Sequence, residues 1–238
     1  MTAIMGSYNP NAQLRQDFHT RDPGATACLF IDAQNYNCHP DGALFRALPV
    51  MAQFSCNGHV KAAVGQESQR ETLQGRVNAC RPNWTRLQER CRGVGIEVMY
   101  AVIQSLTEDG RERSLDYKIS GFLVPRGCWD AQVCLPSLRR AIVHFWWKVL
   151  DYIEPAGDEI VLSKGSCSVF QSTNLDYLLR CMEKKDLIVC GSLTDQCVSH
   201  AVRDACDLGY RVTVIAGLVA ALSLPLLTRL HRLLLGYE

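Results

Sequence analysis

The run Leu187-Ile188-Val189-Cys190-Gly191-Ser192-Leu193-Thr194-Asp195-Gln196-Cys197 constrains this chain more than any other stretch. An apolar strand stops at a glycine, a tight polar turn follows, and a cysteine ends the turn. Beyond it, Val198, Ala201, Val202 and Ala205 recur at helical spacing, and Gly209 stops the pattern. The segment predicts a strand over 187–190, a turn, and a helix over 197–208. A cysteine at that junction sits at the N-terminus of a helix, where unpaired N–H groups and the helix dipole favour thiolate over thiol. Cys197 is therefore a candidate nucleophile; the alternative is a buried, inert cysteine.

The rest of the chain repeats the alternation. Residues 27–31 are a continuous apolar run, as a strand buried on both faces should be, and the run ends at Asp32. A helix is expected after a loop at Pro82-Asn83, with Trp84, Leu87 and Cys91 on one face and Gly93 and Gly95 as its stop. Next come a strand over 96–103, a charged loop over 106–113, and a strand over 158–162 ending near Lys164. A helix over 175–182, the 187–190 strand and its helix, and a last strand over 212–216 complete the pattern. Residues 1–24 read as a polar lead-in and 25–238 as one domain. Strands alternating with helices imply an α/β fold with a parallel sheet.

In such sheets functional groups gather beyond the carboxyl ends of the strands. Asp32, Lys164 and Cys197 occupy three such ends, far apart in sequence. A thiol nucleophile needs a base and a nearby cation, and Asp32 and Lys164 can supply them. Read singly, Asp32 caps a turn and Lys164 is a solvated charge. His200 is the only histidine close to Cys197 in sequence, and it reads as a surface or packing residue.

Composition narrows the partners. A net charge of +1 with scattered charges gives no footprint for nucleic acid. Residues 212–227 are almost wholly apolar, but fall short of the ~20 a spanning helix needs and are broken by Pro225, so no membrane anchor is expected. Twelve cysteines without a secretory signal point to free thiols and a cytoplasmic protein. No Cys-x-x-Cys pair exists, and the adjacent Cys38-His39 is a poor start for zinc.

These residues resemble the isochorismatase-like cysteine hydrolases, a family that includes nicotinamidases, N-carbamoylsarcosine amidohydrolases and ureidoacrylate amidohydrolases. The matching pieces are Leu29-Phe30-Ile31-Asp32-Ala33-Gln34-Asn35, Ile160 to Lys164 with Ser168-Val169-Phe170, and Gly191 to Val198 with Arg203-Asp204-Ala205. Residues 105–111 and 114–118 look most like the ureidoacrylate branch. The resemblance implies a three-layer αβα sandwich with a mainly parallel central sheet. It implies a catalytic triad of Asp32 as base, Lys164 as orienting cation and Cys197 as nucleophile. It further implies an oxyanion hole of the Leu193 and Cys197 N–H groups, and a cis peptide between Ser192 and Leu193. Tyr36 and Phe170 follow motif residues and are expected to line the pocket, with ordinary core packing as the alternative. Lys118 reads as a loop charge.

Nicotinamidases carry an Asp-x-His metal pair after the first strand. Here the only such triplet, Asp17-Phe18-His19, precedes that strand, and Thr107-Glu108-Asp109-Gly110-Arg111 stands where the histidine-rich loop would be. No metal or organic cofactor is expected. The chain departs from the family around 48–71, in an insertion-like segment at 134–148, and in an apolar C-terminus at 217–238. The reading is a hydrolase of the C–N bond of a small linear amide or of a ureido or carbamoyl acid, working through a cysteine thioester. An isochorismatase-type ether hydrolase and a catalytically idle interaction protein are the alternatives. The expected partner is a small-molecule substrate, and the resemblance implies a homo-oligomer.

Overall fold

The computed structural model describes residues 22–44, 66–133 and 153–220. In chain order its main elements are β1 (Thr26–Ile31), α1 (Asn35–Cys38), α2 (Gln66–Gly93), β2 (Glu97–Ile103), α3 (Leu115–Ile119), β3 (Ile160–Lys164), α4 (Val169–Ser172), α5 (Leu175–Cys181), β4 (Asp186–Ser192), α6 (Ser199–Asp207) and β5 (Arg211–Ala220). The expected 134–148 segment, Asp17-Phe18-His19 and residues 221–238 lie outside the described residues.

The five strands pair in the order β3-β2-β1-β4-β5, all parallel. Their apolar side chains alternate between two cores. Cys28, Phe30, Val98, Tyr100 and Val102 pack with Leu73, Val77, Trp84 and Cys91 of α2. Ala27, Leu29, Ile31, Met99, Ala101, Leu187 and Val189 pack with Leu175 and Leu179 of α5 and with Ala201, Val202 and Ala205 of α6. Period-2 alternation with both sets apolar forces helices onto both faces, which gives the three-layer αβα sandwich. β1 is central and all six of its residues are buried.

Two expected boundaries move. Pro82 lies inside α2 rather than in a loop before it, and the helix begins at Gln66. A proline there removes one backbone donor and costs roughly 3 kcal/mol. The stripe of Leu73, Val77, Cys80, Trp84 and Cys91, all buried, offsets that cost through the sheet contact. Trp84 also donates its ring N–H to the Leu218 carbonyl at 2.7 Å. The last strand likewise runs past residue 216 to Ala220. Its register slips between Val189↔Val214 and Gly191↔Val219, so four residues of β5 bulge beside one of β4. Gly217, at φ +80°, supplies the backbone freedom for the bulge. No helix among the described residues is long and apolar enough to cross a membrane.

Candidate active site

The chain leaves β1 for β2 and β3 on one side, then crosses to β4 and β5 on the other. The strand order therefore reverses between β1 and β4, the place where open parallel sheets hold their ligands. Asp32 follows β1, and Ser192 ends β4 with Leu193 just beyond it, so both flank that crevice. Asp32 takes φ +50°, a left-handed conformation uncommon outside glycine. Its amide donates to the Ala101 carbonyl at 2.8 Å, and its own carbonyl accepts from Ser192 Oγ at 3.2 Å. Gln34 clamps the neighbouring strand end: its side chain accepts from Ile103 N at 2.6 Å and donates to Ile103 O at 3.0 Å.

Lys164 is the last residue of β3, two strands from β1 and so about 10 Å away at ~4.8 Å per strand. Its four-carbon stem bridges that gap. Nζ lies 3.0 Å from Asp32 Oδ2 as a charge pair, without the alignment of a hydrogen bond. It donates to Cys197 Sγ at 3.3 Å, to Tyr117 Oη at 3.1 Å and to the Ser166 carbonyl at 3.0 Å. Asp32 and Lys164 are fully buried and Cys197 nearly so. The structure thus brings the three predicted strand-end residues within contact of one another.

Cys197 does not open the α-helix as its spacing predicts. It sits in a wide π-helical turn, Thr194–Val198, and α6 begins two residues later at Ser199. The Leu193 carbonyl closes that turn by accepting from Gln196 N at 3.1 Å and from Val198 N at 3.2 Å. The wider turn and the helical spacing share the same apolar positions, so periodicity alone could not separate them. The peptide between Ser192 and Leu193 is cis, at the position the resemblance implied.

Electrostatics couple the three groups. Burial raises the Asp32 carboxyl well above its usual range; the Cys197 charge raises it further, and Lys164 opposes both. The Cys197 thiol is pushed up by its hydrogen bond with Cys167 and by burial, while the Lys164 charge pulls it down. Burial alone would lower the Lys164 ammonium, but the Asp32 and Cys197 charges outweigh it and hold it above its ordinary value. One cation and two acids sharing one proton are neutral together, the arrangement a buried site tolerates best.

Tyr36 is buried, and its ring lies 5.9 Å from that of Phe122; the Cys197 and Asp32 charges contribute to the rise of its hydroxyl pKa, behind burial and Asp130. Phe170 packs against the core cluster that includes Cys197 and Val198. Ser168 Oγ caps α4 by accepting from Phe170 N at 3.2 Å, and the Phe170 ring packs 6.0 Å from Tyr210, which leads into the amino end of β5. His200 is exposed, with its Nδ1 2.9 Å from the Gln196 carbonyl. Lys118 lies in α3 rather than in a loop. Two neighbours escaped the sequence reading: Tyr117, buried with its hydroxyl on Lys164, and Cys167, whose thiol is lowered first by its hydrogen bond with Cys197. Among the described residues no group of three or more His, Cys, Asp or Glu could hold a metal ion.

Acid, ammonium and thiol at the carboxyl ends of a parallel αβα sheet define a class that comparison with known proteins makes specific. The isochorismatase domain model matches residues 26–228, and the chain belongs to that family. The N-carbamoylsarcosine amidase of Arthrobacter sp. is 30% identical over 130 residues, 55% of this chain and 45% of that protein. The ureidoacrylate amidohydrolase RutB of Caulobacter segnis is 25% identical over 210 residues, 82% of this chain and 72% of that protein. The first of these matches spans less than half of its relative's length. An isochorismatase family protein from Desulfovibrio vulgaris shares the fold, with a TM-score of 0.60 at 21% identity over 90% of this chain and 92% of that one.

Proposed function

We propose that the protein is a cysteine hydrolase that cleaves the C–N bond of a small linear amide or of a ureido or carbamoyl acid. One observation carries the reading: a single buried ammonium lies 3.0 Å from the Asp32 carboxylate and 3.3 Å from the Cys197 sulfur. In the first step the thiol proton passes to Asp32 and the sulfur attacks the carbonyl carbon. Lys164 stays charged and offsets the negative charge of the thiolate. The Leu193 and Cys197 N–H groups hold the tetrahedral oxyanion. Asp32 then returns its proton to the leaving nitrogen, the C–N bond breaks, and a thioester remains on Cys197. Asp32 next takes a proton from water, whose oxygen attacks the thioester; acid leaves and Cys197 regains its proton. A carbamoyl substrate treated this way yields carbamate, which decays to ammonia and carbon dioxide.

The similarity to an N-carbamoylsarcosine amidase and a ureidoacrylate amidohydrolase supports this substrate class. Tyr36 fits one wall of the pocket. The ten described cysteines are all free thiols, which suits a reducing, cytoplasmic setting. The test is ammonia release over a panel of ureido acids, carbamoyl amino acids, simple amides and nicotinamide, with Cys197→Ala alongside. Turnover of a ureido or carbamoyl acid, lost in Cys197→Ala, is expected. Folded protein that cleaves only an enol ether would replace this reading with the ether hydrolase.

A further inference from the structure

The Tyr117 hydroxyl is the one neutral hydroxyl described on the Lys164–Cys197 pair. It accepts from Lys164 Nζ at 3.1 Å and lies 3.7 Å from Cys197 Sγ. Its position is fixed from three sides. Ser114 Oγ accepts from the Tyr117 amide at 3.3 Å and starts α3 there. The Tyr117 ring packs 5.3 Å from the Phe122 ring, and Lys164 Nζ lies 5.6 Å from the centre of the Tyr117 ring. Arg113 ties the following turn by donating to the Phe122 carbonyl. The residue is buried, so water does not compete for its hydroxyl.

A phenol that accepts from an ammonium has its own proton left to give. The acceptor within reach is the Cys197 sulfur, and a sulfur accepts far more strongly as thiolate than as thiol. We propose that Tyr117 is a further catalytic residue: it keeps its proton throughout and donates it as a hydrogen bond to the Cys197 thiolate. The thiol proton goes to Asp32, as before, and no proton leaves Tyr117. Burial, followed by the Cys197 and Asp32 charges, holds the phenol well above its usual range, so it stays a donor at any working pH. The other titratable groups around it are Lys164 and Cys167, with Asp116 touching the Cys167 thiol at 3.7 Å. The inference rests on the hydrolase reading, in which the thiolate is the working form.

The test needs no substrate. Iodoacetamide labelling is read by peptide mapping, which separates Cys197 from Cys167, and thiolate is read from its ultraviolet absorbance. Tyr117→Phe keeps the ring and its packing on Phe122. It is expected to slow Cys197 labelling roughly tenfold at pH 7 and to weaken the thiolate absorbance. Phe122→Leu disturbs the same packing without touching the hydroxyl and is expected to label at the wild-type rate. Melting curves show whether each variant is folded. Equal labelling of wild type and Tyr117→Phe overturns the proposal while leaving the hydrolase reading intact. Equal slowing by both variants also overturns it, because packing alone would then set the rate. Wild-type Cys197 no more reactive than a free thiol overturns both.

Discussion

Lys164→Met is expected to abolish turnover, by at least ~10⁴-fold, and to destabilise the fold by about 3–5 kcal/mol. Methionine fills a similar volume, so the loss is electrical. Without the ammonium, Asp32 is a buried carboxylate with no cation, and Cys197 loses the charge that pulls its thiol down. Asp32, already raised by burial, climbs further and is protonated at neutral pH. A protonated Asp32 cannot accept the thiol proton. The sign of the pH dependence follows. A carboxyl whose folded pKa lies above its unfolded value, ~3.9, binds more protons folded than unfolded. Its contribution to stability is therefore present in acid and lost as pH rises. The deficit of Lys164→Met against wild type is expected to be small near pH 4 and to grow toward pH 7 in urea titrations. A deficit independent of pH would mean that Lys164 acts by packing.

Gly191→Ala is expected to cost more than ~4 kcal/mol, in the extreme tail of point substitutions. Gly191 sits at φ +123°, and a Cβ there would lie 1.9 Å from the Ile31 carbonyl oxygen and 2.7 Å from Ile31 N. Those atoms belong to the backbone of central β1, so nothing flexible can yield. The strand that carries the nucleophile turn would be prised from the strand that carries Asp32. Against a total of ~5–15 kcal/mol, that loss removes between about a quarter and most of the stability. Urea melts and expression yield check this; a well-folded, active variant would mean that β1 and β4 separate more easily than their register implies.

The sheet was legible because its strands are apolar on both faces, and runs such as Cys28-Leu29-Phe30-Ile31 admit few other placements. Asp32, Lys164 and Cys197 were legible because a strand end is a position readable from sequence. Tyr117 was not. It reaches the site from a five-residue helix between β2 and β3, and nothing in its spacing reports that direction. For Phe170, adjacency to a motif says nothing of where the ring turns; in the fold it packs beside Tyr210. Pro82 was read as a breaker because local propensity ignores the packing of α2, which overrides it. The continuation of β5 past residue 216 depends on a bulge opposite Cys190, a pairing between strands that no single segment announces.

In the proposed mechanism Asp32 and Cys197 share one proton under the Lys164 charge. The most direct test of that sharing is the rate of Cys197 alkylation between pH 6 and 8, followed by peptide mapping beside a small reference thiol. A second proton on the pair would leave Lys164 as an unbalanced buried cation, and loss of the shared proton would leave an excess anion. Both states are costly, so the thiolate share stays constant in between. A flat Cys197 profile is expected while the reference thiol, at pKa ~8.5, gains roughly tenfold per pH unit. A Cys197 rate that climbs in parallel with the reference would contradict it and make Cys197 an ordinary buried thiol.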